Sequence, residues 1–121
     1  MKKITYLALL SMVLCAFTSQ SSYNYHDEAT LKGVVSTVDY DLPAGGSYVT
    51  YVLKLDQEIS LNASDEWDAK NGVTEIQLSI QEHKILRYKN KPIEITGELF
   101  GAVNEHHRRD VCIKVSEING G

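Results

Sequence analysis

The chain has 121 residues, of which 43% are apolar and 23% charged, and its 16 acidic residues outnumber its 12 lysines and arginines. This length fits one domain of ordinary size and excludes a TIM barrel or a two-domain dehydrogenase. Two prolines, eight glycines and ten aromatic residues are not the composition of a disordered or collagen-like chain.

The N-terminal segment 1–20 is typical of a secretory signal peptide. A short basic start, Met1–Lys3, precedes an apolar run over 4–17, and small polar residues begin at Thr18. The run is shorter than the roughly 20 residues that a membrane-spanning helix requires. We therefore predict export to the periplasm, cleavage near Thr18 and no membrane span in the mature chain.

The two cysteines lie on either side of the predicted cleavage site. Anchoring as a lipoprotein would need cleavage just before Cys15, where the bulky Leu14 precedes it in place of a small residue, so anchoring through Cys15 is the less favoured interpretation. Cys112 is then the only cysteine of the mature chain, which excludes an intramolecular disulfide. It lies in the strand-like run Val111–Val115, which favours a strand residue over a catalytic thiol.

Removal of the leader makes the protein more acidic. Residues 1–20 contain two lysines and no acidic residue, so the formal net charge falls from −4 to −6. Binding to nucleic acid depends on clustered lysines and arginines that neutralise phosphates, so we predict no nucleic-acid partner. No motif for a cofactor is present either.

The mature chain is predicted to be mainly β. Alternating apolar residues predict strands over 29–40, 48–55, 74–80, 93–101 and 111–115, and a change of period predicts a short helix over 81–88. This order is that of an OB-fold, a five-stranded, partly open barrel with its helix between strands 3 and 4. We predict a single OB-like domain over 29–119, preceded by a flexible segment over 21–28.

The polar stretch 62–72 carries two local signals. Ser64 is a good N-cap for one helical turn, after which Trp67 would pack back on the body. The dipeptide Asn71-Gly72 then predicts a tight turn before the next strand.

The segment from Gly97 to Val111 resembles a known family. It consists of a strand with a Gly-Glu-Leu-Phe-Gly-Ala motif, a loop with the histidine pair His106-His107, and a valine-rich last strand. Together with the strand around Gly33 and the run Tyr51–Asp56, it is similar to an uncharacterised family of small exported bacterial proteins, a domain of unknown function. That resemblance implies an exported, OB-like β-barrel with a paired-histidine loop before its last strand.

The same loop supplies the candidate binding residues. A mixed histidine and arginine loop at the rim of a barrel suits recognition of a partner protein, because arginine and aromatic residues are enriched at interface anchors. Two tyrosines that flank the glycine loop 45–46 are further candidates for a contact surface. The predicted partner-binding residues are Glu105, His106, His107, Arg108, Arg109, Tyr40 and Tyr48.

No pattern in the chain predicts a catalytic group, so we expect binding rather than catalysis. The leading hypothesis is a non-catalytic periplasmic protein that neutralises a basic, envelope-active toxin or an enzyme, as an immunity protein or inhibitor does. The alternative is a periplasmic protein that binds a small ligand or a divalent metal through His106 and His107. A third hypothesis is an enzyme that uses Cys112 as its nucleophile.

Overall fold

The computed structural model describes residues 21–103 and 106–120 and consists mainly of strands. The predicted leader 1–20, with Cys15, and the predicted binding residue Glu105 lie outside the described residues. Residues 82–88 form a one-turn helix, α1, that continues into a 3-10 turn, Leu86–Tyr88. The elements are β1 (Ser21–Asn24), β2 (Glu28–Asp41), β3 (Ser47–Asn62), β4 (Lys70–Ser79), α1 (Glu82–Ile85), β5 (Pro92–Gly101) and β6 (Val111–Gly120).

Five of these strands form a closed barrel. The ring runs β3-β2-β5-β6-β4, and pairing of β4 with β3 closes it. Every pair in the ring is antiparallel except β4–β6, which is parallel. This order, with the helix between the third and fourth barrel strands, is the OB-fold topology predicted from the sequence, and here the barrel is closed rather than partly open.

The core follows the alternation of the strands. On β5, Ile93, Ile95, Gly97, Leu99 and Gly101 are all buried, as their shared face predicts. Full burial of one such aliphatic side chain contributes about 1.5–3 kcal/mol. The largest fully buried side chains are Leu53, Leu61, Ile76, Ile85, Ile95, Leu99, Ile113, Val35, Val52, Val111 and Cys112.

Two glycines allow neighbouring strands to approach inside the barrel. A Cβ atom at Gly33 would overlap the carbonyl oxygen of Lys54, and one at Gly97 would overlap that of Lys114. The register of β5 against β6 shifts at Thr96–Gly97, so the strand bends where its side chain is absent.

The segment 21–28 corrects the expectation of a flexible lead-in. Its first four residues form β1, which pairs in parallel with Ile59–Asn62 of β3. Tyr25 is buried, at 6% exposure, and its hydroxyl donates to the carbonyl of Asp68 at 2.8 Å. The buried ring and its hydrogen bond hold this segment against the barrel.

The stretch 62–72 agrees with one expectation and corrects two others. Trp67 packs against the core, as predicted. Ser64 Oγ accepts hydrogen bonds from the backbone N–H groups of Glu66 and Trp67, but residues 65–67 form a bend rather than the predicted helical turn. Asn71-Gly72, however, forms no tight turn. It lies inside β4, where Gly72 has a φ of +63° and the register against β3 shifts. The positive φ of Gly72 allows the β-bulge at this point of β4.

Among the described residues, no helix combines the length and the hydrophobicity that crossing a bilayer requires.

We expect Gly97→Ala to lower the free energy of unfolding by about 3 kcal/mol, because the added methyl group meets a backbone oxygen and has no room to move. Urea unfolding at neutral pH measures this change. Glu94→Ala on the same strand is the control and should change stability by less than about 0.5 kcal/mol. Equal stability of the two variants would contradict the close approach of β5 to β6.

Candidate functional site

The two connections that usually carry ligands in an OB-fold are the β2–β3 loop and the β5–β6 loop. In this protein the β2–β3 loop is a tight five-residue connection over 42–46. Leu42 N–H donates to the Gly46 carbonyl at 2.9 Å, and Gly45 and Gly46 have φ values of +99° and +87°. This turn brings the residues just before and just after it into register.

Tyr40 and Tyr48 form a cross-strand pair at that turn. They are direct partners in the β2–β3 register, and their ring centroids are 5.1 Å apart. Both side chains are on the outer face of the barrel, since Tyr51 and Leu53 of the opposite parity point into the core. The pair therefore presents two half-buried aromatic rings at the surface.

The β5–β6 loop folds back onto these rings. The His106 ring lies 5.3 Å from Tyr48, and the Arg108 guanidinium lies over the Tyr40 ring, 3.3 Å from its centroid. Such a cation–π contact is worth about 0.5–1 kcal/mol at an exposed site. We call these four residues, Tyr40, Tyr48, His106 and Arg108, the aromatic–cation patch.

A buried glutamine fastens the loop to the barrel. Gln77 is 7% exposed and points to the outer face of β4, under the loop. Its side-chain nitrogen donates to the carbonyl of His106 at 3.1 Å, and its side-chain oxygen accepts from the backbone N–H of Arg108. One amide thus satisfies backbone groups on both sides of His107 and fixes the loop where it carries the patch.

His107 and Arg109 hold the loop rather than extend the patch. His107 Nδ1 accepts a hydrogen bond from the Val103 N–H at 2.9 Å, and its ring packs edge-on against Phe100. Arg109 donates to Glu75 through Nε at 2.8 Å and pairs with it through Nη2 at 2.7 Å. Of the predicted binding residues, four are therefore gathered in the patch and two anchor its loop, while Glu105 lies outside the described residues.

Cys112 lies beneath the same loop and is buried. Its Sγ is 3.8 Å from the Arg109 carbonyl. Burial, with a smaller contribution from the Asp110 carboxylate, raises the pKa of the Cys112 thiol to about 12. The thiolate that a nucleophile needs is thus strongly disfavoured.

Two buried hydroxyls on β2 and β3 have an energetic cost. The hydroxyls of Tyr40 and Thr50 are buried, and neither has a hydrogen-bond partner among the described residues. A buried polar group without a partner costs about 1–3 kcal/mol.

A second cluster, which the sequence did not single out, surrounds His26. This residue has a φ of +75° in the turn between β1 and β2, and its ring lies 5.5 Å from Trp67. Nδ1 is 2.8 Å from a carboxylate oxygen of Glu98, and Nε2 is 3.0 Å from one of Glu66. Because only the protonated imidazole donates from both nitrogens, these contacts favour the charged ring.

His106 and His107 do not converge on one point, since the first packs on Tyr48 and the second on Phe100. Over 21–103 and 106–120, no group of three or more histidine, cysteine, aspartate or glutamate side chains is placed to hold a metal ion.

Gln77→Leu keeps the volume of the side chain and removes both hydrogen bonds to the loop. We expect it to lower the free energy of unfolding by about 1–3 kcal/mol, since the His106 carbonyl and the Arg108 N–H lose their partner. Urea unfolding measures the loss. Gln57→Leu, at an exposed position of β3, is the matched control and should stay within about 0.5 kcal/mol of wild type. An equally small loss in Gln77→Leu would contradict the role of this amide.

The two histidines should titrate on opposite sides of the usual value near 6.5. Hydrogen bonds to Glu66 and then Glu98 raise the pKa of His26, whereas burial and then the nearby His106 lower the pKa of His107. His26 therefore stabilises the fold below about pH 6.5, and this contribution is lost as the pH rises through its folded pKa. The contribution of His107 is present above about pH 6.5 and is lost as the pH falls through its folded pKa.

An NMR titration of the imidazole protons tests both directions. Glu98→Gln, which removes one charged acceptor, should move the pKa of His26 downward and leave that of His107 in place. A His107 pKa at or above 6.5 would contradict the partial burial of its ring in the folded loop.

Comparison with known proteins adds one match. Residues 75–119 match the family model of a domain of unknown function, DUF4431. The matched region begins after Tyr40 and Tyr48. It contains Gln77, the β5–β6 loop and β6 as far as Asn119. No curated protein matches the chain. The C-terminal part of this barrel, including the fastened loop, is therefore similar to the DUF4431 domain.

Proposed function

We propose that this protein is a non-catalytic binding protein of the bacterial cell envelope and that the aromatic–cation patch is the surface with which it binds a partner protein. The observation that carries the proposal is the packing of two tyrosines, from the adjoining ends of β2 and β3, against a histidine and an arginine of the β5–β6 loop on one outer face of the barrel. The leader 1–20 would direct the chain to the periplasm, where the mature domain acts.

The composition of the patch supports recognition of a protein. Tyrosine and arginine dominate the few interface residues that contribute most of the binding energy. They supply a large contact area and fixed polar groups at a modest loss of side-chain entropy. The Gln77 amide holds the loop in place before a partner arrives, so less ordering is required on binding.

The charge of the molecule supports a protein over a nucleic acid. Without residues 1–20 the formal net charge is −6, which opposes a phosphate backbone. The same charge would accelerate capture of a basic partner by long-range attraction.

Binding rather than catalysis fits the residues that the patch contains. The one sulfur nucleophile of the mature chain, Cys112, is buried with its pKa raised to about 12. His107 uses Nδ1 to accept the Val103 hydrogen bond instead of activating a nucleophile. An immunity protein or inhibitor needs only a complementary surface that blocks the site of a periplasmic toxin or enzyme.

Quantitative capture from an envelope extract tests this proposal. Wild type, a Tyr48→Ala/Arg108→Gln double variant and an Arg87→Gln control are immobilised at equal density. Arg87 is a matched control, because its guanidinium also lies over a tyrosine ring, Tyr88, at 4.9 Å and away from the patch. We expect a protein that wild type and the control retain and the double variant loses.

Calorimetry with that purified protein should then give a dissociation constant at least about tenfold weaker for the double variant, the size expected of anchor residues. Thermal unfolding of all three proteins confirms that they are folded. Equal capture by all three proteins, or capture of nothing above background, would contradict the proposal.

A further inference from the structure

The two neighbouring arginines of the β5–β6 loop have different surroundings. All three nitrogens of the Arg109 guanidinium contact an acceptor, two of them Glu75 and one the carbonyl of Arg108. The guanidinium of Arg108 lies with its flat face on the Tyr40 ring, and within 21–103 and 106–120 its side-chain N–H groups donate to no acceptor and pair with no carboxylate.

The N–H groups of the Arg108 guanidinium are therefore available to bind a ligand. Stacking on an aromatic ring occupies one face of a guanidinium. Its N–H donors lie in the guanidinium plane and point sideways, parallel to the aromatic ring, where a ligand can reach them. A planar carboxylate accepts two such parallel hydrogen bonds, which makes it the best-matched partner for a stacked arginine.

A groove borders the patch on the Tyr48 side. β3 pairs with β4 from Val52 onward, opposite Gln77, and no pairs join the two strands nearer the β2–β3 loop. The opening between them has a volume of about 390 Å³ and is lined by the polar residues Ser47 and Glu82 as well as by Tyr48, Val49, Tyr51, Leu78 and Ile80. The Glu82 carboxylate accepts a hydrogen bond from the Tyr51 hydroxyl at 3.2 Å. Val49 is 41% exposed, so an incoming apolar side chain would cover it.

One edge of β3 faces this groove. Residues 47–51 pair with β2 on one side and, among the described strands, with none on the other. An unpaired strand edge is the usual acceptor of an added strand from a partner protein. An extended peptide segment matches all three features: its backbone pairs with the strand edge, one side chain enters the groove and another binds the arginine.

We infer that the partner presents an extended segment in which an aspartate or glutamate binds the Arg108 guanidinium and a neighbouring apolar side chain enters the groove beside Val49. This inference rests on the proposed function and adds the chemistry of the partner. The segment supplies one carboxylate locally, and the rest of the partner is free to be basic.

A displayed library of random linear 12-residue peptides tests this inference without knowledge of the partner. The library is selected on wild type after depletion on Arg108→Gln, so that only peptides that need Arg108 remain. We expect enriched sequences with an acidic residue close to an aliphatic or aromatic one. In a synthetic peptide from this set, replacement of the acidic residue by its amide should weaken binding to wild type at least about tenfold and leave the residual binding to Arg108→Gln unchanged.

The groove has its own matched pair of variants. Val49→Glu places a charge in the groove, whereas Val34→Glu places one at a valine of similar exposure, 36%, on β2. The first should abolish binding of the selected peptides and the second should preserve it. Enriched peptides without an acidic residue, an amide peptide that binds equally well, or no enrichment at all would overturn the inference. A partner captured through the patch would still support the proposed function in each of these cases.

Discussion

The candidate surface depends on one buried amide. The β5–β6 loop has no regular secondary structure over its described residues, and without a tether its backbone groups would prefer water. Gln77 provides the tether from the outer face of β4, with one hydrogen bond to each side of His107. The barrel provides a rigid strand at this position, and the Gln77 amide holds the loop on it together with the His107–Val103 and Arg109–Glu75 contacts. The position of Arg108 over Tyr40 follows from that contact.

His26 and His107 have opposite environments. The surroundings of His26 favour the protonated imidazole, and those of His107 favour the neutral one. His26 joins Glu66 and Glu98, from different elements, through a ring whose pKa is raised by those hydrogen bonds. His107 is half-buried within the β5–β6 loop, and its pKa is lowered. Mild acidity therefore strengthens the contacts around Trp67 and weakens those under the patch, so the pH dependence of stability combines two opposite contributions.

Much of the fold is predictable because periodicity reports burial directly. The alternation of Ile76 and Leu78, and of the β5 isoleucines, identified strands whose inner faces are indeed the core. The bulge at Gly72 was not predictable, since an Asn-Gly pair favours a positive φ in a turn and in a bulge alike. The strand β1 was also missed, because its stability comes from Tyr25 and from pairing with β3, far along the chain.

The site was predictable only in part, for a related reason. Tyr40, Tyr48, His106 and Arg108 were identifiable as candidates from their residue types and their loops, but their contact joins positions far apart in sequence. Gln77 gave no signal, since a polar residue at an outward strand position is ordinary until a loop covers it.

Amide hydrogen exchange at Arg108 measures the central interaction most directly, because this N–H donates to the Gln77 side chain. In the native protein at neutral pH, we predict protection comparable to that of the β4 strand amides, so that exchange requires opening of the loop. Exchange of the Arg108 amide at the rate of an unprotected peptide would show that the loop is not fastened to the barrel, and would contradict a preformed surface.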